Sequence, residues 1–321
     1  MTPKMEAPEF NVIEGHEPGS LDWRKKITAT KARDILAPHL GYESFGTPLS
    51  TWVDLTAALR GEGSTSNEDT AFMQWGRATE TANRQLMAVE MGTDIDPSPG
   101  MVQDSEFEWL ASTPDGIARG GPMDGFGVWE GKSPTVWKRD EWEDGVPDSV
   151  LVQVLVNLRC TGLTWGCASA LMPPSKSEDE ILLHDHVVDN PVFSDRMMEI
   201  LIDFWERNVM RDIPPEATGT KLDSQMLAQC YPQHEAKTVK FSDELAEILH
   251  LDTELDAEIK RLKKEREGVR NKIKLEMGDA LYGSDGLRHY KWATIERHHK
   301  PKAAYVQVVR QLRKVKSIGG A

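Results

Sequence analysis

The chain has 321 residues, 39% hydrophobic and 28% charged, with 25 Gly and 18 Pro; this is too apolar for a disordered polymer and too varied for a collagen-like chain, and the length suits one large domain or two ordinary ones. Thirty-eight Lys and Arg against 52 Asp and Glu give a net charge of −14, which argues against a protein that coats nucleic acid by bulk attraction. No apolar run approaches the roughly 18–20 residues of a membrane span and the N-terminal residues lack an apolar signal core, while three cysteines (Cys160, Cys167 and Cys230) are too few for a four-cysteine iron–sulfur cluster, so we expect a cytoplasmic chain in a reducing compartment without a disulfide framework.

Residues 1–19, with Pro3, Pro8, Pro18 and Gly19, read as a mobile lead. A short helix is expected from Thr30, ended by Pro38, and another over Thr51–Leu59 before the polar loop at 61–69. Residues 70–91 are rich in helix formers, and Phe72, Trp75, Ala82, Leu86 and Val89 mark the expected core face, with Glu80 off that stripe. The period then changes: a strand is expected over Phe107–Thr113, the TPDG turn follows, and the glycines of 120–127 lead as a hairpin into the strand VWEGK at 128–132. The glycines precede a strand, so they are not a phosphate cradle, and no Walker A lysine motif is present.

The run from Val150 is too apolar for a surface helix and stops at Gly162, as suits a helix packed on a sheet. Strands are expected over 164–172 and 181–188, and a long helix over 194–211. Residues 20–215 thus mix strands and helices as an α/β domain closed by Pro214-Pro215, with 216–240 as a linker and 241–321 as a separate helical and basic region. There Leu245, Ile248, Leu255, Ile259, Leu262, Val269 and Ile273 fall on heptad a and d positions, with Asp252 and Arg266 at two more, and a hairpin and a final helix are expected to follow. Residues 241–321 hold 17 basic and 13 acidic side chains. From Asp285 on, Tyr290, Trp292 and Tyr305 interleave with Lys and Arg, as either a nucleic-acid or partner surface or a solvated helix face.

Chemistry concentrates at Asp115, Glu130 and Lys132. Strand period two sets Glu130 and Lys132 on one face. If Asp115 lies on the neighbouring strand, two carboxylates and the Gly131 carbonyl form an all-oxygen site suited to Mg²⁺ or Mn²⁺, and the lysine can orient or help deprotonate a water there. His184 and His186 alternate on a strand with no third ligand at a recognised spacing, which favours a structural role. No G-x-S-x-G elbow is present, so a serine hydrolase is not expected. Trp23, Trp75, Trp109 and Trp129 lie at or beside these motifs and are read first as core packing.

The stretches GSLDWRKKITATKA (19–32), WGRATETANRQ (75–85), STPDGI (112–117), VWEGKSP (128–134), TGLTW (161–165) and FW…IPP (204–215) resemble, in order, the YqaJ-type viral recombinases, the phage lambda-type exonucleases of the PD-(D/E)xK nuclease superfamily. The resemblance implies a restriction-endonuclease-like core, a central mixed sheet flanked by helices. It implies that Asp115, Glu130 and Lys132 are metal ligands and catalytic lysine, that Glu80 completes the metal shell with the Gly131 carbonyl, and that Gln153 stands beside the lysine. Thr30, Thr113 and Arg24 fall at or near positions that hold a terminal 5′-phosphate. Gly131 stands where the family usually has a bulky aliphatic, which raises the prospect of a bulge, and Leu155 replaces a second glutamine.

The implied activity is a Mg²⁺-dependent 5′-to-3′ exodeoxyribonuclease acting on double-stranded DNA ends. Mn²⁺ is expected to substitute. The products would be 3′ single strands for recombination with a single-strand annealing protein, and the enzyme a homo-oligomer, since several members form rings. Two rivals stay open at this stage: a structure-selective or single-strand endonuclease on the same core, and a DNA-end scaffold whose metal site Gly131 has spoiled.

Overall fold

A computed structural model describes residues 8–63, 70–121, 123–174, 180–234 and 238–296, and divides the chain into two compact units between Tyr231 and Pro232. Several helix starts in the first unit follow side-chain caps. Ser20 caps α1 (Leu21–Arg24) and Thr28 caps α2 (Ala29–Leu40). Thr47 opens α3 (Pro48–Leu59) with a capping box closed by Ser50 and with proline in the first turn, where a missing N–H costs nothing. The expected stop at Pro38 is corrected: α2 runs through it to Leu40, because the chain closes its last turn on left-handed Gly41, whose N–H reaches the Ala37 carbonyl at 2.9 Å.

Thr70 caps α4 (Ala71–Met91), and here the expected core face is wrong. Phe72 and Val89 are 73% and 81% exposed, and Trp75 and Leu86 are exposed too. The buried positions are Asn83 and Met87, so the stripe facing the protein runs one residue off the apolar periodicity, through these two residues four apart.

β1 (Ile95–Pro97) follows, then the short pair β2 (Val102–Gln103) and β3 (Ala111–Ser112). Only two residues of the expected 107–113 strand pair in this way, because the Asp104 carboxylate captures the N–H groups of Glu106 and Phe107 in a turn. Next come β4 (Gly116–Ala118), β5 (Gly127–Lys132), α5 (Asp148–Thr161), β6 (Trp165–Leu171) and β7 (Leu182–Val188). They build a mixed five-stranded sheet in the order β1-β4-β5-β6-β7, with β5 and β6 parallel and the other neighbours antiparallel. Parallel pairing needs a crossover, and α5 supplies it, stopping at left-handed Gly162 as its sequence predicts.

The main core includes Ile27, Ile35, Leu55, Val128, Val154 and Leu201; each fully buried aliphatic side chain contributes roughly 1.5–3 kcal/mol. A smaller cluster gathers Met87 of α4 with Ile95, Ala118, Trp129, Trp165 and Cys167 of the sheet. Alternation along β5 splits its side chains between the two: Val128 enters the main core and Trp129 the smaller one.

After α6 (Pro191–Asp203) the helix widens into one π turn over Phe204–Val209. Trp205 stacks on Trp109 at 5.4 Å, and Trp52 donates its indole N–H to the Asn208 carbonyl at 3.0 Å. The expected linker at 216–240 is also corrected, since α7 (Lys221–Cys230) occupies its middle. The buried Asp223 carboxylate accepts from the Thr47 hydroxyl and from the Thr218 hydroxyl (2.7 Å), fastening α7 to the start of α3.

In the second unit, Ser242 caps α8 (Asp243–Met277), a single 35-residue helix with no buried residue. A hairpin of β8 (Tyr282–Ser284) and β9 (His289–Lys291) follows. The expected final helix, with Tyr305, lies outside the described residues. Among the described residues no helix is long and apolar enough to cross a membrane.

Candidate active site

The hairpin of β4 and β5 brings the two carboxylates together. Gly116 pairs with Trp129, so Asp115, one residue before β4, meets β5 at Glu130 and Gly131, and its Oδ2 accepts the Gly131 N–H at 2.9 Å. Glu130 and Lys132 share a strand face as their spacing requires, and the Lys132 ammonium donates to Glu130 Oε1 at 2.5 Å. The other oxygen, Oε2, accepts from Asn157 Nδ2 at 2.9 Å. Glu130 is therefore buried and held at both ends, with Lys132 half-exposed beside it.

Asn157 is a residue that sequence reasoning missed. It is completely buried, and its own Oδ1 has no hydrogen-bond partner among the described residues. An unsatisfied buried acceptor costs about 1–3 kcal/mol, so the residue is placed there against the interest of the core. Gln153 lies one turn earlier on the same helix, also buried, and donates to the Thr30 hydroxyl at 3.4 Å. The signal was present in the sequence: these two amides, four apart, interrupt the apolar run of α5.

On the opposite sheet face, Asn83 of α4 bonds the Lys132 carbonyl at 3.0 Å and accepts from the Ser169 hydroxyl at 2.8 Å, while Ser169 accepts the Trp129 indole N–H at 2.9 Å. This network fixes α4 to β5 and β6, and with it Glu80, one turn before Asn83. Thr79 adds a hydroxyl contact of 2.6 Å to Ser133, just past β5. The Gly131 backbone makes no bulge, since β5 pairs with β6 residue by residue from Val128↔Gly166 to Lys132↔Ala170. Glycine is required there for a different reason: a Cβ would stand 2.6 Å from Trp129 Cζ2 and 2.7 Å from Cη2. The indole fills the space that an aliphatic side chain at 131 would use.

Burial and the neighbouring Glu130 charge push the Asp115 carboxyl up to about 8, with Glu80 adding to the rise and Lys132 and the Gly131 N–H opposing it. Such a carboxyl marks a place short of positive charge. Asp115 and Glu130 interact there through their charges, and two carboxylates with a backbone carbonyl such as that of Gly131 would make an all-oxygen donor set that fits a hard divalent cation. Among the described residues no three His, Cys, Asp or Glu side chains form a ready-made ligand group; Glu80 acts on Asp115 through its charge from the exposed side of α4.

The remaining predicted site residues divide. Thr30 lies exposed in the first turn of α2 against Gln153, and Thr113 is half-buried two residues before Asp115. Arg24 is not with them. Its guanidinium is buried, pairs with Asp54 at 2.7 Å and donates to the Glu62 carbonyl at 2.8 Å. Lys31 joins the same carboxylate at 2.9 Å. This ion-pair cluster ties α1 and α2 to α3, which corrects the expectation that Arg24 stands free for a phosphate. His184 and His186 lie on β7 with ring centroids 6.4 Å apart, and His184 approaches Glu90 at 3.7 Å.

Comparison with known proteins agrees with the resemblance read from the short motifs. Residues 21–164 match the family described as the YqaJ-like viral recombinase domain, a stretch that holds Glu80, Asp115, Glu130, Lys132, Gln153 and Asn157. The uncharacterized protein YqaJ of Bacillus subtilis (strain 168) is 23% identical over 280 residues, covering 86% of this chain and 82% of that protein. A crystal structure of LHK-Exo in complex with dAMP superposes with a TM-score of 0.50 at 19% identity, over 61% of this chain and 94% of that one. A second structure of the same alkaline exonuclease, from Laribacter hongkongensis, gives a TM-score of 0.48 at 18% identity, over 65% and 97%. The first of these likenesses places the mixed sheet and its flanking helices in the same fold.

Proposed function

We propose that this chain, with its YqaJ-like domain at 21–164, is a metal-dependent exodeoxyribonuclease that digests one strand of duplex DNA from its 5′ end and leaves a 3′ single strand for recombination. The observation that carries the reading is the arrangement around Glu130: Asp115 across the β4–β5 ladder, Lys132 at 2.5 Å on the same strand face, and Asn157 at 2.9 Å behind it. The fold likeness to an alkaline exonuclease crystallised with dAMP, a nucleoside monophosphate of the kind such digestion releases, supports it.

Asp115, Glu130, the Gly131 carbonyl and Glu80 would hold Mg²⁺, or Mn²⁺ in its place. When bound, the ion supplies Lewis-acid stabilisation of the charge that builds on the scissile phosphate. The chain's own groups do the rest. Lys132 orients the attacking water, whose oxygen bonds to phosphorus as the P–O3′ bond breaks and the 3′-oxygen leaves. Glu130 holds the ammonium in place, and Asn157 keeps Glu130 from turning away. The hydroxyls of Thr30 and Thr113 are suited to donate to a terminal 5′-phosphate, with Gln153 orienting Thr30. The scaffold alternative loses its motive, because Gly131 lies in an unbroken ladder.

The test is digestion of linear duplex DNA with a 5′-phosphate and a label at either end, in Mg²⁺, beside a circular duplex. Release of the 5′ label from linear DNA alone, lost in Lys132→Ala, is the expected result. Cleavage of the circle would instead establish an endonuclease. Intact substrates with a preparation that binds Mn²⁺ by calorimetry would overturn the nuclease reading.

A further inference from the structure

Helix α8 carries no buried residue, yet its heptad positions form an exposed apolar stripe interrupted by Asp252 and Arg266. On the heptad read from the sequence, Ile248, Leu255, Ile259, Leu262 and Val269 occupy a and d positions and are 47–58% exposed. Such a stripe on a helix about 50 Å long is a surface made to be covered, and the distribution of charge along it selects what covers it. Residues 243–259 contain seven Asp or Glu and no Lys or Arg, whereas 260–275 contain eight Lys or Arg and two Asp or Glu. The helix macrodipole favours acids in the first turn and bases in the last, but its effect fades beyond those turns. Here each sign extends to the midpoint.

We propose that α8 pairs antiparallel with α8 of a second copy of this chain. A parallel pair would lay acidic half on acidic half and basic half on basic half. It would also stack Asp252 on its own copy and Arg266 on its own copy in the core seam, where both occupy a positions. The antiparallel pair reverses every one of these relations: acidic half meets basic half at both ends. Because a and d residues share layers in antiparallel coiled coils, Asp252 and Arg266 of opposite chains then fall in adjacent layers, roughly 5 Å apart along the axis. By two-fold symmetry the contact occurs twice. The exposed Lys260–Asp256 and Arg261–Glu265 ion pairs within the helix, at 2.6 and 3.0 Å, support its rigidity and leave the seam to the other chain.

Charge reversal in the full-length chain tests this. By sedimentation equilibrium the wild type is expected to be a dimer. Asp252→Arg places arginine beside the partner's Arg266 twice over, and should weaken dimerisation at least tenfold, as should Arg266→Asp. The double reversal, Asp252→Arg with Arg266→Asp, restores the opposite-sign contacts in an antiparallel pair and should recover the wild-type constant; in a parallel pair neither the single nor the double change would alter the like-charge stacking. Residues 252 and 266 are too far apart along one helix to meet within a chain, so rescue reports on contact between chains. Far-UV circular dichroism checks that each variant keeps its helix. A monomeric wild type, whose stripe is then covered by its own chain or left open, would overturn the proposal. So would an oligomer indifferent to both single reversals, or single defects that the double variant fails to rescue.

Discussion

Replacing Gly131 by alanine tests whether the Trp129 ring is as rigid as its surroundings make it. The added Cβ would stand 2.6 Å from Cζ2 and 2.7 Å from Cη2 of the indole, distances at which one partner has to move. The ring has little freedom to do so: it is fully buried, and its N–H is held by Ser169, which is held in turn by Asn83. Overpacking a well-filled core by one carbon costs typically about 1–3 kcal/mol, a loss of roughly five- to 150-fold in the folding equilibrium at 1.4 kcal/mol per factor of ten. Urea melts followed by far-UV circular dichroism would measure it, with an unchanged slope expected if the denatured state is unaffected. Trp129→Phe shortens the ring where the new methyl arrives. The pair of changes should therefore cost less than the sum of the single ones, with a coupling of roughly 0.5–3 kcal/mol. An alanine variant as stable as the wild type, or strict additivity in the cycle, would refute the claim that the indole excludes a side chain at 131.

Asn157→Ala leaves Glu130 Oε2 without its donor, and should lower turnover or metal affinity roughly 10–100-fold, as loss of an orienting neighbour does; Mn²⁺ titration beside a turnover assay would locate the defect, and full activity would remove Asn157 from the site. The Asp115 carboxyl, raised to about 8, binds a proton in the folded state that an unfolded aspartate releases near pH 4. Its contribution to the stability of metal-free protein is thus complete below about pH 4 and lost as pH rises to about 8. Thermal melts should show that decline in the wild type and not in Asp115→Asn; identical pH profiles would show that Asp115 ionises normally. Asp223→Ala should destabilise the first unit by about 1.5–3 kcal/mol, the range for hydrogen bonds to a charged group, read by urea melts and without effect on metal binding.

Much of the fold was legible because its signals are local. Gly162 stops α5, the alternation of β5 sets Glu130 beside Lys132, and the glycines of 120–127 lead into a strand. The face of α4 was misread because the sheet offers Asn83 a polar docking site, in Ser169 and the Lys132 carbonyl, that periodicity of apolar residues does not register. Asn83 therefore outcompetes Trp75 and Leu86 for burial. Arg24 was misassigned because its true partner, Asp54, lies thirty residues away on another helix. Asn157 escaped because a second amide one turn after Gln153 acquires meaning only once the crossover places it beside Glu130 of β5.

The ladder between β4 and β5 also bears on how much the chain can change in length. What sets Asp115 against Glu130 is the pairing of Gly116 with Trp129, while the fourteen residues between the two acids along the chain belong mostly to the hairpin's tip. Lengthening a loop is cheap, about 0.6 kcal/mol for each doubling, and insertions at the tip would leave the acids facing one another. A shift of one residue in the pairing would instead turn Glu130 to the face now held by Trp129. The spacing between the two acids is therefore a poor criterion for finding relatives of this site, and the strand register is the trait that descent has to preserve.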